Sequence, residues 1–430
     1  MAQQPLGGSL SLADARAQAQ AHNPTLKQQQ AAVALAQADK DQTLGAFLPR
    51  LSVSETAVYT NAPLNAFGFK LQQERVAAAD FDPNLLNDPG DVQNYLTQAE
   101  LQVPLVNVNG WRYREAANQG LTARQYQLQY AQATVNYYVA EVYYGIQVVR
   151  SSRQVLQQAQ ATLAAALKYV ADNVEAGYAQ RSDELAVRVR ASEVEAELLR
   201  LDDREAYYWD QLNRLLGAPK GTAWSLTDSL ALAPAPGLPT PEFDLSQRAD
   251  HQAYTLALRA RTTAYQASQT GALPSLNAFG QYSLYDTNPF GASGQNYLVG
   301  VQLKWDLFTG FTRKSDLARK AAEYDATQAE YDAYQTQAQA EWAQAWRNLA
   351  IQQQELARAE LADAQAREAY RIRSDRFQQG LEKTFDLLAA ETTQAEQALR
   401  LRQARYNYYL AHEKLALLGT AATTLTQRTP

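Results

Sequence analysis

The chain has 430 residues, 46% of them hydrophobic and 20% charged, with a mean hydropathy of -0.44 and a formal net charge of -6 at pH 7. The absence of cysteine excludes disulfides, thiolate metal sites and a cysteine nucleophile. The acidic balance argues against a nucleic-acid partner, whose phosphates need basic patches. No run of about eighteen apolar residues exists, which excludes a transmembrane helix but not a transmembrane β-barrel, whose strands alternate.

In chain order, the opening MAQQPLGGSL carries neither a charged n-region nor an apolar h-region. Either the chain is not exported, or a signal peptide has been removed and a start Met supplied. A helical stretch follows from Ser11. The first strand signal is LSVSETAVY, residues 51–59, with Leu51, Val53, Ala57 and Tyr59 on one face and Glu55 among them. A long connection from Thr60 to Asn94, marked by Gly, Pro and Asn, leads to a second strand over 95–105. A helix is then predicted over about 111–175, free of proline and poor in glycine. At ~1.5 Å per residue its length is on the order of 95 Å. A glycine tip at Gly177 and a helix over about 179–216 close this half, 11–217. The segment 218–245, with APAPGLPTPEF (Ala233–Phe243), reads as a linker.

The second half, 246–419, repeats the plan: strands over 276–285 and 297–307, a long helix over 313–379, a tip at Gly380, and a helix over 383–418, before a tail at 420–430. YLTQAELQVPLVNVNGW mirrors YLVGVQLKWDLFTGF with Tyr95 and Tyr297 202 residues apart, and NRLLG mirrors LALLG at the same spacing. Gly177 and Gly380 lie 203 apart, as do Asp183 and Asp386. In the second copy, Tyr297, Val299, Val301, Leu303, Trp305 and Leu307 alternate with Gly300, Gln302, Lys304 and Asp306. The downstream helix carries Leu317, Tyr324, Tyr331, Ala338 and Ala345 on one heptad frame, and Trp342, Leu349 and Leu356 on another, a coiled-coil seam.

Long Ala/Gln-rich helices alone point first to a plain coiled-coil scaffold. The four two-faced strands point the other way, since a scaffold does not need them. They are too few to close a barrel singly, whereas three chains would supply twelve. Tyr59, Tyr95, Tyr285, Tyr297 and Trp305 are candidates for an interfacial aromatic belt. Tyr137, Tyr138, Tyr143 and Tyr144 read as helix-packing residues. Both tip glycines read as helix caps, because no phosphate-loop pattern surrounds them. No catalytic constellation, cofactor motif or metal-ligand spacing is present in the sequence; His22, His251 and His412 are scattered.

The duplicated helix–strand–strand–long helix plan resembles the TolC-type outer membrane efflux proteins. So do the repeated tip Gly177…Asp183 and Gly380…Asp386, the strand-to-helix junctions PLVNVNGW and DLFTGF, and the LLG ends, over roughly Ser11 to Gly419. The resemblance implies a mixed, mostly α membrane protein with two structural repeats per chain. Three copies would form a twelve-stranded transmembrane β-barrel continued by a long α-helical coiled-coil barrel. It implies a homotrimeric exit duct of a tripartite efflux or secretion system, set in outer membrane lipid with its tunnel in the periplasm. A periplasmic adaptor protein would link it to an inner-membrane pump. Within the family, a type I protein secretion duct is an alternative.

The resemblance further implies adaptor contact at the tips (Gly177, Tyr178, Gly380, Leu381) and a periplasmic gate at Asp183, Asp386, Glu382 and Phe377. It implies a barrel–tunnel junction at Pro104, Gly110 and Gly310, the two glycines supplying the bend. The family example with the tightest gate has an aspartate at the position of Ala389, a tyrosine at Phe377 and an arginine at Glu382. Its lock therefore does not carry over, and Glu382 is expected to add negative charge to an acidic, cation-selective ring. The signal peptide is taken as removed, and zero cysteine implies no lipid anchor.

Overall fold

The computed structural model describes residues 6–228 and 244–419. The linker segment Ala233–Phe243 and the tail 420–430 lie outside them. The chain divides into two compact units. One holds the described residues of Met1–Val33, Arg124–Ala253 and Asp332–Pro430. The other holds Ala34–Ala123 and Tyr254–Tyr331.

The second unit is built on a four-stranded antiparallel sheet in the order β2 (Arg50–Thr60), β3 (Val92–Val106), β5 (Ser275–Asp286), β6 (Gly294–Lys304). The alternation of its residues sets the register: Leu51 faces Leu101, Leu101 faces Gly280, and Gly280 faces Val299. Partners directly opposite share a face. The β2–β3 connection folds into two short helices, α3 (Pro63–Gln72) and α4 (Pro83–Asn87), each started by proline in the first turn.

Two junction details depart from expectation. β6 ends at Lys304, so Trp305 and Leu307 lie outside it. There the chain turns away as the Trp305 indole N–H bonds the Ala272 carbonyl at 2.9 Å and the Arg313 guanidinium bonds the Asp306 carbonyl at 2.6 Å. Gly110 supplies no bend. It lies inside the helix α5 (Val108–Glu175), where a Cβ would stand 2.8 Å from the Ala46 Cβ, so glycine there permits close approach. Gly310 does carry a turn, at φ +61, followed by Phe311 at φ +64. Pro104, lacking an N–H, sits beside a register shift between Pro104 and Val106. The β5–β6 pairing has no matching shift, so the ends of β3 and β6 differ.

The other unit is mainly helical. α1 (Leu12–His22) opens with a capping box, the Ser11 hydroxyl accepting from the Asp14 N–H while Asp14 reaches back. α2 (Pro24–Gln42) follows at Asn23, whose side chain accepts the Thr25 N–H at 2.9 Å. α5, with 68 residues, and α8 (Thr312–Gln378), with 67, extend without proline. α6 (Arg181–Leu216) and α9 (Thr384–Gly419) have 36 residues each; α7 (Ala249–Thr270), most of which belongs to the sheet unit, precedes β5. Gly145 in α5 admits the Tyr208 ring of α6; a Cβ would stand 2.6 Å from Tyr208 Cε1. Leu163, Val187, Val194, Leu201 and Phe377 form one core, and Ala345, Leu349, Tyr408 and Leu415 another. Of the predicted seam, Ala338, Ala345 and Leu349 are buried.

The segment 218–245 is not linker throughout. β4 (Ala223–Leu226) pairs in parallel with β1 (Leu6–Leu10). The fully buried Tyr143 donates its hydroxyl to the Leu10 carbonyl at 2.9 Å, and Asp228 accepts the Leu12 N–H at 2.7 Å.

Candidate functional site

The sheet is sharply two-faced. By the strand register, one face carries Leu51, Val53 and Ala57 of β2, Ala99, Leu101 and Val103 of β3, Leu276, Ala278 and Tyr282 of β5, and Tyr297, Val299, Val301 and Leu303 of β6. The opposite face carries Ser52, Ser54, Thr56, Gln98, Glu100, Gln102, Asn277, Gln281, Gln302 and Lys304, interspersed with Val58, Val92, Leu96, Phe279, Tyr285 and Leu298. Val53, Tyr297, Val299, Val301 and Leu303 are all exposed in the protomer. A contiguous exposed apolar surface of this kind marks contact with lipid or a partner. Two charges fall on the apolar face by register, Glu55 and, at the end of β5, Asp286; Glu55 pairs with the Thr97 hydroxyl and accepts the Phe290 N–H at 3.2 Å. β2 and β6 each present an unpaired edge in the protomer.

The belt candidates divide between the two ends of the sheet. Tyr59, Tyr95 and Tyr285 stand at the end carrying the β2–β3 and β5–β6 connections. Tyr59 donates to Asp91 at 2.8 Å, and the Tyr95 hydroxyl accepts from Gln93 at 2.6 Å. Tyr297 faces Tyr282 nearer the middle, and Trp305 follows the opposite end.

In the helical unit, α5 passes to α6 and α8 to α9 through matching turns. Gly177 (φ +81) and Gly380 (φ +73) take the left-handed position. Tyr178 N–H bonds Asn173 O at 2.8 Å and Gly177 N–H bonds Val174 O at 3.1 Å; Leu381 N–H bonds Arg376 O and Gly380 N–H bonds Phe377 O, both at 2.9 Å. Each is a Schellman cap, whose left-handed residue is usually glycine because no Cβ crowds that conformation. The next residues, Tyr178 and Leu381, are 85% and 64% exposed.

Of the four gate candidates, Glu382 and Asp386 share a neighbour, while Asp183 and Phe377 stand in surroundings of their own. Asp183 caps its own helix, accepting the Gln180 N–H at 3.1 Å. Phe377 is buried in the core with Leu387 and Val187, its ring 5.1 Å from that of Tyr169. Glu382 does not add free negative charge: Arg373 donates to one oxygen at 3.0 Å and Arg376 to the other at 2.9 Å. Two guanidiniums from the last turns of α8 neutralise it. Asp386 stands 4.0 Å from the same Arg373. The expected acidic ring is thus a mixed cluster of Arg373, Arg376, Glu382 and Asp386.

Sequence reasoning missed those two arginines and a buried ion pair behind them. Arg190 of α6 meets Glu391 of α9 at 3.0 Å, Glu391 being 3% exposed with its second oxygen buried and unpartnered. Burial pushes the Glu391 carboxyl up, against the pull of Arg190. The only signal was a charged residue at a core position of each helix. Among the described residues, no cluster of His, Asp and Glu could hold a metal ion, and no helix is long and apolar enough to cross a membrane.

The family model described as outer membrane efflux protein matches residues 15–218 and 244–420. No curated protein sequence matches the chain. Among solved structures, the CmeC outer membrane channel of Campylobacter jejuni superposes with a TM-score of 0.81 at 14% identity, over 95% of this chain and 85% of that one. The outer membrane protein VceC of Vibrio cholerae gives 0.77 at 18% identity, over 95% and 96%. The open state of the MtrE outer membrane channel of Neisseria gonorrhoeae gives 0.79 at 15% identity, over 95% and 88%. At these identities the likeness is one of fold.

Proposed function

Because the chain belongs to the outer membrane efflux protein family, we propose that it is the outer-membrane exit duct of a tripartite efflux or secretion system. It conducts solutes passively from a periplasmic adaptor and inner-membrane pump to the exterior. Three copies close a twelve-stranded barrel and a helical tunnel built from two repeats per chain. The apolar sheet face meets lipid, and the polar face lines water. The tips around Gly177 and Gly380 meet the adaptor, and no chemistry is performed.

The observation that carries this reading is the sheet: four strands with one apolar exposed face and two open edges cannot be stable alone in water or lipid. Pairing β2 of one copy with β6 of the next removes both edges. The tip cluster supports a gate whose charges are internally paired, so it favours neither cations nor anions strongly while Glu382 stays ionised. Neutralising Glu382 with Glu382→Gln frees Arg373 and Arg376, and the ion preference shifts toward anions. The test is reconstitution into planar bilayers. A detergent-extracted trimer that conducts, with anion preference increased in Glu382→Gln, supports the reading. A detergent-independent, wholly helical monomer without conductance supports an extended scaffold instead and sinks it.

A further inference from the structure

The β2–β3 connection leans to one side of the sheet, and the side is identifiable. At the connection end, the polar-face positions are covered: Val92 and Asn94 are buried, Val58 and Thr60 half-buried. The apolar-face positions beside them, Ala57, Tyr59 and Gln93, are exposed. Gly294 of β6 occupies a polar-face position, opposite Tyr285. A Cβ built on it would stand 1.9 Å from the Gln72 carbonyl oxygen. The backbone at the end of α3 therefore lies against the polar face.

Gln73 fixes it there. Its side chain is buried, 1% exposed, and its amide donates to Asn94 Oδ1 at 2.8 Å, the Gln93 carbonyl at 3.0 Å and the Asp286 carbonyl at 3.3 Å. One side chain thus ties the connection to β3 and β5 together. Its own oxygen accepts from Arg75 at 3.2 Å. Lys70 and Asp80 pair at 2.9 Å, and Asp80 also accepts the Ala77 N–H at 2.8 Å, the largest of the influences, with Lys70 and Arg75, that hold its carboxyl below the usual range. Glu74 is held at φ +54, a conformation that a non-glycine residue keeps only when its surroundings impose it. Residues 61–91 carry Lys70 and Arg75 against Glu74, Asp80, Asp82, Asp88 and Asp91, two cations against five carboxylates, a net of -3.

We infer that residues 61–91 form a fixed, acidic lid over the polar face of the sheet, a size- and charge-selecting constriction at that mouth of the duct that favours cationic over anionic solutes. This rests on the barrel reading, in which the polar face lines the water path. A ring of lids from several copies concentrates like charge in a narrow opening, where it attracts cations and repels anions.

The natural absence of cysteine makes the test clean. Gln98→Cys places a thiol on the polar face of β3, and Val299→Cys places one on the apolar face. Both are labelled in intact cells with water-soluble reagents applied from outside. In the lidded protein, Gln98→Cys should react with a small maleimide roughly tenfold faster, relative to a free thiol, than with a bulky poly(ethylene glycol)-maleimide, and replacing residues 63–90 by a short Gly-Ser turn should erase that gap. Equal discrimination with and without residues 63–90 overturns the lid.

A full-length variant, Asp82→Asn with Asp88→Asn, covers the case in which the shortened chain does not assemble. Cationic methanethiosulfonate should outpace the anionic reagent at Gln98→Cys on the order of tenfold, and the neutralised variant should lose most of that preference. No preference in the parent, or one unchanged by the substitutions, overturns the charge selection. If Val299→Cys reacts as readily as Gln98→Cys, the barrel reading itself has failed, and the inference with it.

Discussion

Removing the Arg190 side chain tests how the two tip hairpins are held together. Glu391 of α9 has a side chain 4% exposed, its partner Arg190 of α6 is 18% exposed, and they meet at 3.0 Å. Breaking a buried pair by deleting one partner typically costs ~3–5 kcal/mol, because the survivor remains as an uncompensated charge. Arg190→Ala should lose that much at about pH 8, where the stranded carboxylate is ionised. The folded-state carboxyl is already raised above 4.5 by burial, and loss of the guanidinium raises it further. A raised folded value means the native state binds the proton more tightly than the unfolded chain does. Stability is then fully present below the unfolded value and is lost as pH rises through the folded one, at up to about 1.4 kcal/mol per pH unit. Arg190→Ala should therefore recover much of its stability near pH 5. Adding Glu391→Gln should recover most of it at pH 8, since no charge is left buried. The assay is thermal loss of helical circular dichroism in detergent at both pH values for the parent, the single and the double variant. A loss independent of pH, undiminished in the double variant, would refute an electrostatic linkage between α6 and α9 and leave only lost packing.

Two further outcomes address the sheet and the strand pair. Val299→Arg puts a charge on the apolar face and should cost about 2–4 kcal/mol if that face meets hydrocarbon, whereas Gln302→Arg on the polar face should be close to neutral; the yield of heat-resistant trimer in the membrane fraction reads the difference. Tyr143→Phe removes the hydroxyl that bonds the Leu10 carbonyl at 2.9 Å in a fully buried position and should cost ~1–3 kcal/mol, seen as faster amide exchange in Leu6–Leu10 and Ala223–Leu226 with α5 unaffected.

The family and the mixed, mostly helical fold were legible because both rest on long periodic stretches. A 68-residue helix without proline and an alternation such as Tyr297–Leu303 leave little choice to the backbone. The parallel pair β1–β4 was not legible. Each strand is only five or four residues long, and nothing local to LGGSL names a partner beyond residue 220. Glu382 was misjudged because its two cations lie nine and six residues earlier, on the far side of a turn. Only the Gly380 cap brings Arg373 and Arg376 onto it. Gly110 was misassigned because a glycine next to a strand looks like a turn, while its actual constraint is the Ala46 side chain. The side of the sheet that residues 61–91 cover depends on Gln73 and Gly294 meeting across the strands, a relation between residues that no single segment encodes.

The β1–β4 pair has a consequence for how the chain reaches its final form. Leu10 is produced early, yet its strand partner Leu226 and the Asp228 side chain that bonds Leu12 arrive more than two hundred residues later. Closing so long a loop is entropically slow, and contacts of this separation form late in folding. The first helical segments must therefore wait with an unsatisfied strand and an uncovered core around Tyr143. Chain termination before residue 223 would strand that intermediate, making the first half a ready client for chaperones and proteases despite its high local helix propensity.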